Sequence, residues 1–146
     1  MIALLLAAAI WPPWQTVAQG TSLQTLDFRQ KAFIAGTFVA AARFTPYLRD
    51  EDKAAVARVH FAHIVLVAAL STSPDTCGLL EIVNLRRSRQ TLTVSAVMHL
   101  RPLDPHLGCL FTEARPYHVI SVPRRVIGTP LPRRVVLKQQ LADPWP

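Results

Sequence analysis

The sequence predicts a mainly β domain of the α+β class: a compact antiparallel β-sheet, or a sandwich or barrel-like arrangement, with one or two short helices. Three observations predict this class. The 146 residues include twelve prolines, which interrupt long helices. Several short segments are apolar at alternate positions or throughout, as strands are. The chain is 51% apolar and 17% charged, so it has enough apolar surface for one hydrophobic core.

Two segments carry the strongest strand patterns. Residues 59–69 read VHFAHIVLVAA, with β-branched and aromatic side chains at both parities, which predicts a central strand buried on both faces. Residues 91–98 alternate strictly between apolar and polar. The core-facing positions of this second strand are Leu92, Val94, Ala96 and Met98. We expect three residues of the first segment to lie in the same core: Phe61, Val65 and Val67.

Weaker patterns complete the predicted order of elements. Further strands are expected over residues 15–18, within 23–33, and over 79–85, 117–122 and 135–138. Thr37 can cap the best predicted helix, which covers residues 38–44, and the acidic residues 50–52 open another short turn. The predicted turns, connectors and loops cover residues 71–78, 86–90 and 101–108, and the tail 143–146 is expected to be loose.

The N-terminal segment is typical of an export signal. Residues 1–10 form an apolar run that resembles a signal h-region and is too short for a bilayer core, which needs about 20 residues. No basic residue precedes the run, which is consistent with a signal truncated at its start. We therefore expect a signal over residues 1–18 and one domain over 19–146, with cleavage after Ala18 or after Ala9. The alternative is a buried N-terminal strand. No transmembrane span is expected.

Cys77 and Cys109 are the two cysteines of the chain, and each lies beside a glycine in a turn-like segment. Two cysteines in an exported chain usually pair, which predicts a disulfide. A bridge between positions 32 residues apart should stabilise the fold by roughly 3 to 4 kcal/mol in the chain-entropy model. The spacing excludes a CxxC redox pair, and a zinc site would need two further ligands, so we expect no metal.

The motifs of catalysis and cofactor binding are absent from the sequence. Its five glycines are too scattered for a phosphate-binding loop or a dinucleotide fingerprint, and no G-x-S-x-G elbow is present. His60 and His63 are the one close histidine pair, but on a strand they would point to opposite faces. We therefore predict that the protein is not an enzyme and has no cofactor.

The net charge of +7 comes entirely from the second half of the chain. From residue 86 onward there are ten basic and three acidic residues, and the preceding residues have six of each. The predicted basic patch consists of Arg86, Arg87, Arg89, Arg124, Arg125, Arg133 and Arg134. Such a patch is either a solvated face or a surface for an anionic partner. No aromatic residue alternates with these arginines, so nucleic acid is not the expected partner.

From Trp14 to about Ile127, the order of segments resembles that of the protease complex subunit PrcB family of bacterial exported proteins, and four short segments carry the resemblance. Residues 59–61 and 65–67 are similar to the family's core strand, and residues 72–79 are similar to its Thr- and Gly-rich turn. PYHVISVPR at 116–124 is similar to a later strand, and VAQGTS at 17–22 to the start of the domain. The resemblance implies a non-catalytic accessory protein whose partner is another exported protein, of the protease class, and it implies no active site.

The loop over residues 71–78 is the predicted contact with that partner. Pro74 and Asp75 form turns readily and Cys77 anchors the loop, so it would bind at a low ordering cost. The predicted contact residues are Ser73, Pro74, Asp75, Thr76 and Gly78. The same loop is similar to the binding loops of chagasin-type cysteine protease inhibitors, which gives an inhibitor as the alternative function. Two further readings stay open: a plain connecting turn, and binding of anionic envelope components by the arginines.

Overall fold

The computed structural model describes residues 14–23, 29–100 and 108–142, and within them seven strands form two sheets. The strands are β1 (Gln15–Ser22), β2 (Lys31–Ala35), β3 (Ile64–Leu70), β4 (Leu79–Ser88), β5 (Thr91–His99), β6 (Arg115–Pro123) and β7 (Arg134–Leu141). The helices are α1 (Phe38–Ala41), α2 (Asp50–Ala57) and α3 (Arg124–Ile127), and Thr45–Tyr47 form one 3₁₀ turn. The mainly β, α+β class predicted from the sequence is confirmed.

The two sheets and the helices form three layers. The inner sheet has the strand order β1-β6-β3-β2, and the outer sheet has the order β4-β5-β7. One apolar core fills the space between the sheets, and a second lies between the inner sheet and the segment that contains α1 and α2. The inner sheet therefore has apolar side chains on both faces, whereas one face of the outer sheet is in contact with solvent.

β5 and β7 run parallel, while all the other strand pairs of the described residues are antiparallel. After β6 the chain leaves the inner sheet, passes through α3 and enters the outer sheet at Arg134. Arg134 lies opposite Thr91, the first residue of β5, so both strands start at the same end. The sequence predicts antiparallel sheets, and this crossover is the reason for the one exception.

The two strongest strand predictions are confirmed for the central residues of each segment. Residues 65–70 of β3 are all buried, and β5 alternates between buried and half-buried residues along its length. Val65 is fully buried, and Val67 lies in the core between the sheets with Leu92, Val94 and Met98. Phe61 differs from the prediction. It precedes β3, packs against the helix-side core and contacts the ring of Phe38 edge-on at a centroid distance of 4.7 Å.

β3 starts five residues later than predicted, at Ile64, so His60 and His63 lie in the preceding turn and are exposed. The argument from strand parity therefore does not apply to these histidines. The predicted connector 86–90 is also corrected, because β4 continues to Ser88 and the turn consists of Arg89 and Gln90. Arg89 has a φ of 55°, which allows the tight reversal between β4 and β5.

The helices also differ in length from the prediction. Thr37 caps α1 as expected, since its Oγ1 accepts a hydrogen bond of 3.1 Å from the Ala40 N–H, but α1 ends at Ala41. The longest helix among the described residues is instead α2, where only a short turn was expected. Its first turn holds Asp50, Glu51 and Asp52, whose negative charge favours the N-terminal end of the helix dipole.

Tyr117 attaches α2 to the inner sheet. Its hydroxyl donates a hydrogen bond to Asp52 Oδ2 and accepts one of 3.2 Å from the backbone N–H of Arg49, the residue that precedes α2. Arg49 Nε also donates to this hydroxyl, and burial together with the bond to Asp52 raises the pKa of Tyr117. Gly20 of β1 leaves room for the Arg49 guanidinium, because a Cβ there would lie 2.6 Å from Arg49 Nη2.

His118, the next residue of β6, attaches the inner sheet to the outer one. Its Nδ1 accepts a hydrogen bond of 2.9 Å from the Ile82 N–H in β4, next to an irregularity in the β4–β5 pairing. The ring proton must then be on Nε2, which donates to Thr16 Oγ1 of β1 at 2.9 Å. The side chain is buried, and this burial lowers the pKa of His118 to about 4. His118 is therefore neutral in the folded protein, and its two hydrogen bonds depend on this neutral form.

β1 overlaps the segment that the sequence assigns to the export signal. Thr16 and Ala18 pair with β6, Ala18 is buried, and Trp14 packs against the core between the sheets. Cleavage after Ala18 would remove half of this strand, whereas cleavage after Ala9 would leave the strand whole. Most of the predicted signal, residues 101–107 of the predicted loop 101–108, and the tail 143–146 lie outside the described residues.

The buried His118 predicts a pH-dependent stability. Its folded pKa of about 4 lies below its ordinary value, so the unfolded chain takes up a proton first as the pH falls. Above pH 6.5 the ring is neutral in both states, so the free energy of unfolding has its full value. As the pH falls from 6.5 towards 4, the free energy of unfolding decreases by about 3 kcal/mol in total. Urea unfolding at pH 7.5, 6.0 and 5.0 should therefore show a falling free energy of unfolding.

His118→Gln is the matched variant for this experiment, because the Gln carbonyl can still accept a hydrogen bond from the Ile82 N–H but takes up no proton. We expect lower stability than the parent at pH 7.5 and a much weaker dependence on pH between 7.5 and 5.0. An unchanged slope in the variant would show that His118 is not the group responsible.

Candidate functional site

Cys77 and Cys109 form a disulfide, as the sequence predicts, with their Cα atoms 5.4 Å apart. The bond joins two segments at the end of the molecule where β3 ends and β4 and β6 begin. We call residues 71–78 and 108–114 together the loop pair. A disulfide of this kind is compatible with an oxidising compartment.

Backbone hydrogen bonds fix the loop pair along its length. Ser73 and Ala114 exchange two hydrogen bonds of 2.9 Å each, which continue the pairing of the inner sheet into the loops. Further along, the Thr76 N–H donates to the Leu110 carbonyl at 3.1 Å, and the Leu110 N–H donates to Thr76 Oγ1 at 2.9 Å. The loop pair is thus held at three successive places: the bridge at Ser73, the Thr76–Leu110 pair and the disulfide.

The predicted contact residues divide into two groups. Ser73 and Gly78 are buried, and a side chain at position 78 would collide with Ser73. These two residues therefore stabilise the conformation of the loop. Pro74 is exposed, and Asp75 and Thr76 are half-buried. Asp75 Oδ1 accepts a hydrogen bond of 2.9 Å from the Cys77 N–H, which stabilises the turn before the disulfide. Of the five predicted contact residues, Pro74 is the one that is exposed.

The apolar surface of the loop pair comes instead from residues that the sequence analysis does not select. Leu110 is 65% exposed and Phe111 is 95% exposed, directly after Cys109. Leu23, 63% exposed, follows β1 at the same end of the molecule, where Ser22 pairs with Arg115. One sequence signal could have identified Leu110 and Phe111: two large apolar residues stand between a cysteine and polar residues, outside any strand pattern.

The seven arginines of the predicted basic patch lie at the opposite end, around the β4–β5 turn and α3. The Arg134 N–H donates to the Gln90 carbonyl, so β7 begins beside that turn. Arg87 is structural, because its Nη1 donates to the Ile127 carbonyl at 2.9 Å and its Nε donates to the Arg89 carbonyl at 2.8 Å. Arg86 and Arg125 are exposed, as are Arg89, Arg133 and Arg134. Arg124 is half-buried.

Asp75, Cys77 and Cys109 are the one cluster of potential metal ligands in the described parts of the chain. Both sulfurs are in the disulfide, so neither can bind a metal as a thiolate. No described helix combines the length and the apolar character that a membrane span requires.

Comparison of the chain with models of protein families, with curated proteins and with solved structures found no match. The resemblance to the PrcB family, which rests on short segments, stays a prediction.

The disulfide should stabilise both the whole domain and the loop pair. Replacing both cysteines by serine should lower the free energy of unfolding by roughly 3 to 4 kcal/mol, because the unfolded chain loses a constraint. Urea unfolding measures this loss, and amide exchange at Thr76 and Leu110 measures the local effect. The parent protein under reducing conditions is the control and should lose the same amount. A double variant as stable as the oxidised parent would contradict a structural role for the bond.

Proposed function

We propose that this protein is a non-catalytic, exported binding domain that contacts another exported protein through the loop pair, with Leu110 and Phe111 as the anchoring side chains. The observation that carries the proposal is the 95% exposure of Phe111 on a backbone that a disulfide and hydrogen bonds hold in place. A folded protein that leaves a phenylalanine in water at a fixed position incurs a hydration cost that a partner can remove.

The energetics favour such a contact. Burial of one large apolar side chain contributes roughly 1.5 to 3 kcal/mol, so Leu110 and Phe111 together can supply a substantial part of a micromolar affinity. Because the disulfide and the Thr76–Leu110 hydrogen bonds already order the backbone, little further entropy is lost on binding. Aromatic side chains in such settings are frequent hot spots of protein interfaces.

Export is supported by the same bond. A disulfide that joins two loops of a small domain persists in an oxidising environment, which for an exported protein is the envelope or the medium. The resemblance to the PrcB family implies an exported protease as the partner class, in which case this domain would be its accessory subunit.

A protease inhibitor of the chagasin type is less well supported by the geometry. Such an inhibitor would insert the loop 71–78 into a cleft, but Ser73 and Gly78 are buried in this loop. The accessible apolar surface is on the other half of the loop pair, at residues 110 and 111.

Site-specific photocrosslinking in the native host tests the proposal. A photoreactive phenylalanine analogue at position 111 should give one predominant adduct with an exported protein, identified by mass spectrometry. The matched control carries the analogue at Val39, which is 84% exposed but lies on α1, away from the loop pair. We expect that Leu110→Ser will weaken the adduct from position 111 several-fold while the domain keeps its melting temperature.

Two outcomes would contradict the proposed contact. One is an equal adduct pattern from positions 111 and 39, which would indicate random collisions with abundant proteins. The other is an unchanged yield from position 111 in a folded Leu110→Ser protein. Purification of the adduct partner then allows its affinity to be measured with the parent and with Phe111→Ser, for which we expect a loss of about tenfold or more.

A further inference from the structure

A cavity of about 410 Å³ lies on the side of the molecule where the edge strands of the two sheets face each other, β2 in the inner sheet and β7 in the outer one. On the opposite side, hydrogen bonds from Gln19 and Thr21 of β1 to the carbonyls of Leu80 and Gly78 join the sheets. Besides β2 and β7, three segments line the cavity: the turn after β2, α1 and residues 131–133.

Four basic side chains line this cavity: Lys31, Arg43, Arg124 and Arg133. No acidic residue is among its described lining residues. The four positions are distributed over about two thirds of the chain, and only the fold brings them together. The sequence doublets supply two of them, while the partners Arg125 and Arg134 of the same doublets do not line the cavity.

Contacts within the protein position three of these four cations: Arg124, Lys31 and Arg43. Arg124 Nε donates a hydrogen bond of 2.7 Å to the Phe61 carbonyl, and its Nη2 donates to the Gly36 carbonyl. The ring of Phe33 lies 5.3 Å from Lys31 Nζ and 5.6 Å from the Arg43 guanidinium carbon, distances at which a cation is attracted to the ring face.

Gly36 makes the close approach in the wall possible. A Cβ at this position would lie 2.7 Å from Leu131 Cδ1 and 3.2 Å from Arg124 Nη2, so any side chain would displace the leucine or the guanidinium. The cavity thus has an apolar wall at Leu131 next to a fixed guanidinium.

We infer that this cavity is a binding site for a phosphate group carrying two or more negative charges. The four positive charges around the cavity repel each other, so the electrostatic energy of the empty site is unfavourable. A multivalent anion bound among them makes that electrostatic energy favourable. Guanidinium groups suit phosphate oxygens in particular, because their planar N–H groups bind two oxygens at once. The site is concave and separate from the loop pair, so it does not depend on the proposed protein contact.

The phosphate can belong to a soluble phosphoester or to a lipid headgroup, and two measurements separate these sources. Isothermal titration with inorganic pyrophosphate at low salt measures direct binding, for which we expect saturation at one ligand per chain. Sedimentation with vesicles that contain phosphatidic acid, whose phosphomonoester carries up to two negative charges, measures binding to a lipid headgroup against phosphatidylcholine vesicles as the control. Vesicle binding that pyrophosphate displaces assigns the site to a lipid headgroup. Pyrophosphate binding without vesicle binding assigns it to a soluble phosphoester.

A pair of charge-matched variants tests the site itself. Arg43→Gln/Arg133→Gln removes two exposed cations from the cavity, and Arg125→Gln/Arg134→Gln removes two exposed cations outside it. Both proteins have the same net charge, so bulk electrostatics affects them equally. We expect the first variant to bind pyrophosphate at least about tenfold more weakly and the second to stay within about twofold of the parent.

Three results would overturn the inference: no saturable binding of pyrophosphate by the folded parent, equal losses in the two variants, or vesicle binding that neither pyrophosphate nor Arg43→Gln/Arg133→Gln reduces. The last two would assign anion binding to the diffuse positive charge of the surface. Circular dichroism melts of both variants verify that each measurement is made on folded protein.

Discussion

The burial of the inner sheet on both faces is the constraint on which the rest of the structure depends. Its central strands β3 and β6 have almost no contact with water, so every polar group in them needs a partner inside the protein. Tyr117 and His118 are consecutive in β6 and therefore point to opposite layers. Tyr117 bonds to Asp52 and Arg49 on the helix side, and His118 bonds to Ile82 in the outer sheet. Two adjacent residues thus attach both outer layers to the central one.

The two surfaces proposed for binding lie at one end of the layers and along one side. The described core between the sheets consists mainly of apolar side chains, and His118 lies among them with its hydrogen bond to the Ile82 N–H. At one end, the disulfide extends the order of the sheet into the loop pair and holds Phe111 in solvent. On the side where the edge strands β2 and β7 face each other, the basic cavity lies beside both strands. The rigid layers determine where both surfaces lie.

The sequence predicts those features that a local pattern determines. The strict alternation of residues 91–98 identifies β5, and the double-sided apolar pattern of residues 59–69 identifies β3, because burial on one or two faces selects these patterns directly. The parallel pairing of β5 with β7 depends on the path of the chain through α3, which no local pattern encodes. Likewise, Lys31 and Arg124 line the same cavity only because the fold brings them together. The exposure of Phe111 depends on the conformation of the loop pair, which the local sequence does not determine.

Native-state hydrogen exchange measured residue by residue tests the central role of the inner sheet most directly. If β3 and β6 hold the two outer layers, their amides should exchange only through global unfolding, with the highest protection in the chain. Amides in α1, α2 and the edge strand β7 should exchange through smaller openings at lower free energy. Protection in β3 and β6 no higher than that in β7 under the same conditions would contradict this account.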